Sequence, residues 1–189
     1  EKGFVFTCFC ANKKITFNEF DVWMKLLKNV KGSVLWLYKS NKYSAENLIK
    51  EAIKRNVDPK NIIFATKLPF LKDHLARYAL GDLGLDTFNY NGHATTSDAL
   101  WAGLPVLTKM GKSYSARVSA SLLNTMGLKD LITYSIKEYE EKALFLANNP
   151  DKLKSLKSQL AKSLKTSSLY DSGLFTKQLE DKYLELCLK

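Results

Sequence analysis

The chain has 189 residues, a formal net charge of +10, three cysteines and an apolar content of 46%. This length fits one α/β domain, and 12% aromatic residues argue against a disordered chain. We find neither a signal peptide nor an apolar run near the ~20 residues that a membrane helix requires, so we expect no membrane span.

The positive charge is carried mainly by scattered lysines, as in "NPDKLKSLKSQLAKSLK", residues 149–165. Such lysines lack the arginine and aromatic interleaving of nucleic-acid sites, so a solvated surface is favoured over a nucleic-acid partner. Cys8 and Cys10 fall on one face of a predicted strand, and Cys187 lies near the end. Without a CxxC pair or a Cys/His cluster, we predict no metal site and a reducing, cytoplasmic compartment.

The predicted elements begin with an apolar strand, "GFVFTCF", which follows Glu1 so closely that the sequence resembles an excised domain. A helix follows, with apolar residues at helical spacing from Phe17 to Val30. Thr16 and Glu19 have the spacing of a capping box, and Gly32 is expected to stop this helix.

Strands and helices then alternate. We predict strands at 33–38, 61–66, 82–88, 105–108 and 130–134, and helices at 44–56 (capped by Ser44), 71–80, 96–103 and 115–127. Three further helices are predicted at 135–148, 150–165 and 172–188.

A β-α order repeated five times, with nearly continuous apolar strands, predicts a doubly wound parallel sheet of the Rossmann-like class. We expect one domain over 1–189, with an α/β core to about residue 134 and C-terminal helices over 135–189. Ligands of such sheets bind beyond the carboxyl ends of the strands, here in loops 9–16, 39–44, 66–72, 87–96 and 108–114.

Several known nucleotide-binding and catalytic motifs are incomplete or absent in this sequence. "MGKS" at 110–113 resembles the end of a P-loop, but Val106 stands where that motif needs its first glycine. Neither GxGxxG after a strand nor GxSxG occurs, so ATP hydrolysis, dinucleotide binding and hydrolase chemistry are disfavoured.

A polar constellation remains at the predicted ligand edge. The turn "NGHATT" at 91–96 offers Gly92 for a close backbone approach and free amides at a helix start, a combination suited to phosphate. Lys14 can add a point charge for a diphosphate, Asp98 can bind a sugar diol, and His74, with Arg77 one turn on, can stack on a base. The competing interpretation is that these residues are helix caps, a structural histidine and one lysine among many.

The segment "LGLDTFNYNGHATTSDALWAGLPVLT" resembles the donor-binding segment of the O-linked N-acetylglucosamine transferase family, which includes the Spindly-type proteins. "KITFNEFDVWMKLLKNVKGSVLWL", "SARVSASLL" and "SSLYDSGLFTKQLEDKY" match the same family in order, so the resemblance covers nearly the whole chain. It implies the C-terminal half of a GT-B glycosyltransferase and an inverting, metal-independent transfer of a sugar from a UDP-sugar to Ser or Thr of a protein. N-acetylglucosamine is the favoured donor sugar, and glucose or fucose, the latter from GDP, are the alternatives within the family.

The resemblance also implies residue roles. Lys14 corresponds to the lysine on the diphosphate leaving group, Asp98 to the carboxylate on the ribose, and His74, beside Arg77, to the histidine on uracil. The pyrophosphate cradle corresponds to His93, Ala94, Thr95 and Thr96.

Some positions depart from the family pattern. Ala94 replaces the first threonine of the family's G-H-T-T, so a backbone contact remains there while a hydroxyl contact is lost. Phe9-Cys10-Ala11 replaces F-N-N/Q, which removes a phosphate-facing amide, and Lys72 is the nearest candidate for the family's second base-contacting lysine.

The family's proton-transfer histidines, much of its acceptor site and its tetratricopeptide repeats lie upstream of the matching segment. We therefore expect a UDP-sugar, a protein acceptor and that N-terminal half as partners, and an isolated chain that binds UDP without turnover. Two alternatives remain: a non-catalytic nucleotide-binding module, and another GT-B enzyme such as a protein N-glucosyltransferase.

Overall fold

The computed structural model describes residues 3–188, and its organising feature is a six-stranded, entirely parallel sheet in the order β3-β2-β1-β4-β5-β6. The strands are β1 Val5–Cys8, β2 Val34–Tyr38, β3 Ile62–Ala65, β4 Leu83–Leu85, β5 Val106–Lys109 and β6 Ile132–Thr133. The helices are α1 Phe17–Asn29, α2 Lys42–Lys54, α3 Leu71–Ala76, α4 Ala94–Trp101, α5 Val118–Thr125, α6 Ile136–Asn148, α7 Pro150–Ser163 and α8 Ser172–Cys187.

The strand order reverses between β1 and β4, which are hydrogen-bonded neighbours with Thr7 opposite Gly84. Successive crossovers run outward on either side of this pair, so the loops after β1 and β4 border the switch point, where sheets of this kind form a ligand crevice. The predicted Rossmann-like fold is therefore confirmed, and the crevice lies between the two loops that carry most of the candidate residues.

The core explains why these strands form a central sheet. Apolar side chains on one face of the inner strands are almost fully buried: Phe6, Cys8, Leu35, Leu37, Leu83, Leu85 and Leu107. On the other face, Thr7 of β1 and Val106 of β5 are buried as well. Such two-sided burial is what a parallel sheet covered by helices requires.

Helix α1 begins differently from the predicted capping box. Thr16 is its N-cap residue, but the Thr16 side chain accepts no amide hydrogen bond and instead donates its hydroxyl to the Glu19 carboxylate. Glu19 is fully buried, and its other oxygen accepts the Phe88 amide at 3.3 Å. The carboxylate thus ties the start of α1 to the loop after β4.

Two helix starts were predicted too late. Asn41, not Ser44, caps α2, since the Asn41 side chain accepts the Ser44 amide at 2.8 Å. Helix α4 begins at Ala94 rather than Thr96, with His93 as its N-cap residue. Both early starts bring the first helical turn closer to the carboxyl edge of the sheet.

The C-terminal helices divide into two kinds. Helices α6 and α7 bury side chains in the same core as the sheet, among them Tyr139, Leu146, Leu156 and Leu160. Helix α8 has no buried residue within its described part. The division at about residue 134 into an α/β core and C-terminal helices stays a prediction. Helices α6 and α7 pack into the same core as the sheet.

Candidate functional site

The loops after β1 and β4 meet at the switch point of the sheet. Lys14 follows β1 in a 3-10 turn over Asn12–Lys14, and its Nζ donates to the backbone oxygen of Asn91 at 2.9 Å. These residues are 77 positions apart in sequence. The structure therefore brings the predicted lysine against the predicted "NGHATT" turn.

An aromatic ring lies between two of the candidate residues. The Lys14 Nζ is 4.0 Å from the centroid of the Tyr90 ring, and the His93 imidazole stacks on the same ring at 4.9 Å and 21°. The His93 Nε2 also lies 3.4 Å from the Ser115 backbone oxygen, which can only accept a hydrogen bond. Lys14 and His93 thus contact the same aromatic ring.

The buried Asp86 fixes the shape of this turn. It was predicted to lie within a strand and was not among the candidate site residues. Its Oδ1 accepts the amides of Gly92 at 2.7 Å and Thr87 at 2.9 Å, and its Oδ2 accepts the Thr108 hydroxyl at 2.6 Å. Burial raises the pKa of Asp86, while these hydrogen bonds oppose the rise. The available signal was an aspartate directly after the apolar strand "LGL".

Gly92 is needed for space rather than for a left-handed backbone. A Cβ there would come within 2.5 Å of Thr96 Oγ1 and 3.3 Å of Cys10 Sγ. The buried Gly92 also binds α5, since its carbonyl accepts the Ser119 hydroxyl at 2.8 Å. Any larger residue would push the turn away from β1.

The first turn of α4 provides backbone donors. The amide of Ser97 donates to His93 O at 3.0 Å, so the amides of Ala94, Thr95 and Thr96 precede the first acceptor that the helix can offer. Together with the helix dipole, these amides make the turn suited to an anionic group.

The threonine side chains of this turn differ in availability. Thr96 is 3% exposed, and its hydroxyl bonds Ser119 Oγ at 2.9 Å, so the structure commits that hydroxyl to the core and leaves only its backbone for a ligand. Thr95 is half-buried, and Ala94 is exposed at the helix start. Thr96 can therefore belong to the predicted pyrophosphate cradle only through its backbone amide.

His74 lies on α3 beside an aromatic cluster. Its ring is 5.3 Å from Tyr78 and 6.1 Å from Phe9. Burial and the nearby Arg77 lower the His74 pKa, and the Asp98 carboxylate partly offsets this. The imidazole is therefore neutral at pH 7, which suits packing against a flat base.

Arg77 takes a different position from the one predicted. It is 8% exposed, its Nη1 donates to the Thr66 carbonyl at 3.0 Å, and its guanidinium lies 5.4 Å from the Phe9 ring. Helix α3 has ended at Ala76, so Arg77 begins a 3-10 turn, from which its charge acts on His74. Lys72, by contrast, is exposed near Phe70.

Asp98 lies one turn into α4, half-buried and close enough to affect groups on two other segments. Burial raises the pKa values of Tyr78, on the turn after α3, and of Tyr170, beyond α7, and the Asp98 charge adds to both rises. It contributes likewise to His74. Asp98 therefore lies near the cluster of His74 and Tyr78, and the Tyr78 hydroxyl lies 3.5 Å from the Thr95 carbonyl oxygen on the first turn of the same helix, α4.

The described residues show neither a metal-binding cluster nor a membrane-spanning helix. Residues 3–188 contain no group of three His, Cys, Asp or Glu side chains placed to hold a metal ion. Among those same residues, no helix is both long and apolar enough to cross a bilayer. Cys8 and Cys10 are buried and Cys187 is exposed, all as free thiols.

Comparison with known proteins gives a consistent result. The model of glycosyl transferase family 41 matches residues 1–179. A probable UDP-N-acetylglucosamine–peptide N-acetylglucosaminyltransferase, SEC, from Arabidopsis thaliana is 36% identical over 98% of this chain and 19% of its own length. A UDP-N-acetylglucosamine–peptide N-acetylglucosaminyltransferase of Caenorhabditis elegans is 32% identical over 96% of this chain and 16% of its own. The chain thus spans about a fifth of the length of these curated relatives.

Solved structures agree on the fold. An O-GlcNAc transferase variant from Thermobaculum terrenum superposes with a TM-score of 0.89 at 32% identity, over 96% of this chain and 35% of that one. TarM, at 16% identity and a TM-score of 0.64, covers 98% of this chain and 36% of its own, and shares the fold alone. Since the family model spans nearly the whole sequence and these relatives agree with it, the chain belongs to glycosyl transferase family 41.

Proposed function

We propose that this chain is the donor-binding half of a protein O-glycosyltransferase that transfers N-acetylglucosamine from UDP-N-acetylglucosamine to Ser or Thr. The observation that carries the proposal is the contact of the Lys14 Nζ with the turn that leads into α4, at 2.9 Å from Asn91 O. A cation and a row of free helix amides meet there, at the switch point where Rossmann-like sheets bind nucleotides.

The diphosphate is the group this arrangement suits best. In an inverting transfer, the acceptor oxygen forms a bond to the anomeric carbon while the bond from that carbon to the phosphate oxygen breaks. Negative charge then develops on the departing UDP, and the Lys14 ammonium and the amides of 94–96 stabilise it. The proton of the acceptor hydroxyl goes to a base outside this chain.

The nucleoside would lie beside the cluster of His74 and Tyr78. A neutral His74 packs against uracil, Arg77 supports it, and Lys72 reaches the base from α3. Asp98 accepts the ribose hydroxyls. Support comes from the shared neighbourhood of His74 and Asp98, whose charge acts on the imidazole. No step in this scheme uses a metal ion.

The whole reaction requires more than this chain. Because the curated relatives are about five times longer, we propose that a second Rossmann-like half, which would contribute the proton acceptor and part of the acceptor site, completes the enzyme together with helical repeats. Co-expression of this chain with such a half should give transfer to an acceptor peptide. The chain alone should bind UDP and show no turnover.

One alternative has specific support. Ala94 is exposed where the family pattern has a hydroxyl, and Ala11 stands where the pattern has an amide. A degenerate nucleotide-binding module is expected to lose polar side chains in this way. A chain that binds UDP-sugars but never supports transfer, even with a competent N-terminal half, would establish this alternative. Another GT-B activity, such as N-glucosyl transfer, would appear as glucose on an asparagine.

A donor panel tests the proposal directly. We expect calorimetry to show UDP-N-acetylglucosamine binding more tightly than UDP-glucose, and no saturable binding of GDP-fucose. Asp98→Asn should weaken the binding of every UDP donor, whereas Asp181→Asn, which makes the same change on the exposed helix α8, should not. Preference for GDP-fucose would overturn the assignment of the donor.

We also propose a cytoplasmic location. Its support is the set of free thiols: Cys8 and Cys10 are buried next to the site, where an oxidising compartment would endanger the fold. Fractionation of cells that express the tagged protein tests this, and recovery in a secretory compartment would contradict it.

A further inference from the structure

Tyr90 is an aromatic residue of the site that no proposed role yet uses. It lies in the loop between β4 and α4, is 47% exposed, and its backbone oxygen accepts the Thr87 hydroxyl at 2.6 Å. The backbone is thereby fixed while the ring stays at the surface. A merely exposed tyrosine would have no reason to contact other functional groups.

The Tyr90 ring contacts both phosphate-facing side chains. The Lys14 ammonium lies 4.0 Å from its centroid, within the range of a cation–π interaction. The His93 ring is nearly parallel to it at 4.9 Å. One ring therefore restricts a flexible lysine and an imidazole that begins α4.

This restriction has a consequence for binding. A lysine side chain loses rotamer freedom when it engages a phosphate, and the loss lowers affinity. A ring that already holds the ammonium near the turn removes part of that loss. The Asn91 carbonyl supplies the second contact to the ammonium, at 2.9 Å, so its position is defined by two groups.

We propose that Tyr90 is a positioning residue for the donor diphosphate: its ring holds the Lys14 ammonium and the His93 imidazole where the two phosphates bind. The proposal rests on the proposed function, because it needs a nucleoside diphosphate in the crevice. It adds a residue that acts through its aromatic face and not through a hydrogen bond to the ligand.

Three variants and two ligands test this. UDP affinity is measured by calorimetry, and uridine affinity by ligand-observed NMR, for Tyr90→Leu, Tyr90→Phe and the control Tyr183→Leu. Tyr183 is 60% exposed on α8, outside every candidate ligand loop, so its replacement removes a surface tyrosine that has no part in the proposed site. Tyr90→Leu should weaken UDP binding about fivefold, the size of a surface cation–π contact, and leave uridine binding unchanged. Tyr90→Phe, which keeps the ring, should restore UDP affinity to within about twofold.

The outcomes separate the two proposals. If the unaltered chain does not bind UDP, the proposed function fails and this inference fails with it. If the chain binds UDP and Tyr90→Leu binds it equally well, the function stands and the inference is overturned. Equal losses for UDP and uridine, or no rescue by Tyr90→Phe, would also overturn it, because both indicate a general structural effect.

Discussion

Asp86 and Gly92 are joined by a buried hydrogen bond of 2.7 Å from the Gly92 amide to the Asp86 carboxylate, and this bond sets the course of the turn that carries the candidate phosphate site. The carboxylate lies at the end of β4 with 2% of its surface exposed. A core contact therefore determines where the surface amides of α4 begin.

Replacing Asp86 should damage both stability and binding. Asp86→Ala leaves the buried Gly92 amide and the Thr108 hydroxyl without an acceptor, which we expect to lower the free energy of unfolding by about 2–4 kcal/mol. Urea denaturation measures this. Asp86→Asn keeps one oxygen for the Gly92 amide and should lose less than half as much.

The matched control is Thr108→Val. It removes only the hydroxyl that donates to Asp86 Oδ2 and keeps the shape of the Thr108 side chain. We expect a loss of about 1 kcal/mol there and an unchanged turn. Equal losses for Asp86→Asn and Asp86→Ala would show that the charge, and not the acceptor at Gly92, is what matters.

His74 should make stability depend on pH. In the folded protein, burial and the Arg77 charge lower the His74 pKa below its unfolded value near 6.5. The Asp98 charge partly offsets this lowering. The unfolded state therefore binds the proton more readily, so this contribution is complete above about pH 6.5 and is lost as pH falls towards the folded pKa.

The measurement compares unfolding free energies at pH 7.5 and pH 5.5 for the unaltered chain and for His74→Gln. The variant should lose less stability on acidification. Asp86 has a raised pKa and acts in the opposite direction, but it is common to both proteins and cancels in the difference. Identical pH dependence in the two proteins would contradict the assignment.

A threonine at position 94 should strengthen UDP binding. Ala94 is exposed at the first residue of α4, where Ala94→Thr would add a hydroxyl beside the free amides. One added hydrogen bond to phosphate, worth about 0.5–1.5 kcal/mol, predicts roughly two- to twelvefold tighter UDP binding.

Ala94→Val is the control, because valine has the shape of threonine without the hydroxyl. Calorimetry should show no gain for valine. Equal gains for both variants would assign the effect to packing, and no gain for threonine would mean that the diphosphate does not approach this residue.

Thr96 should behave as a core residue. Its buried hydroxyl bonds Ser119 Oγ at 2.9 Å, so Thr96→Val should lower the free energy of unfolding by about 1–2 kcal/mol. Thr95→Val, on a half-buried neighbour, should cost less than about 0.5 kcal/mol. Thermal unfolding distinguishes them, and the reverse order would contradict the position of the Thr96 side chain.

The fold was readable from the sequence because its signals are local. Apolar strand runs and helical spacing predicted each strand and helix to within a few residues, and the β-α alternation predicted the parallel sheet. The helix starts at Lys42 and Ala94 were missed, since the cap is chosen by which side chain reaches an amide, as Asn41 does.

The site was readable only in outline. Loop positions and residue types identified Lys14, His74, His93 and Asp98, whose placement at one edge agrees with the prediction and whose contacts with a ligand stay predictions. The roles of Asp86 and Thr96 depend on Thr108 and Ser119, which lie 22 and 23 residues further along the chain. No local sequence pattern specifies such distant partners, so the buried hydrogen bonds beneath the turn could not be predicted.

The central claim is that the Lys14 ammonium and the turn before α4 bind a nucleoside diphosphate. Calorimetric titration of UDP into the unaltered chain and into Lys14→Met tests it most directly, because methionine keeps the length of the side chain and removes its charge. The account predicts saturable one-to-one binding by the unaltered chain and at least about tenfold weaker binding by the variant, as loss of a charge-assisted contact implies. Equal affinity of the two proteins for UDP, or no binding by either, would contradict it.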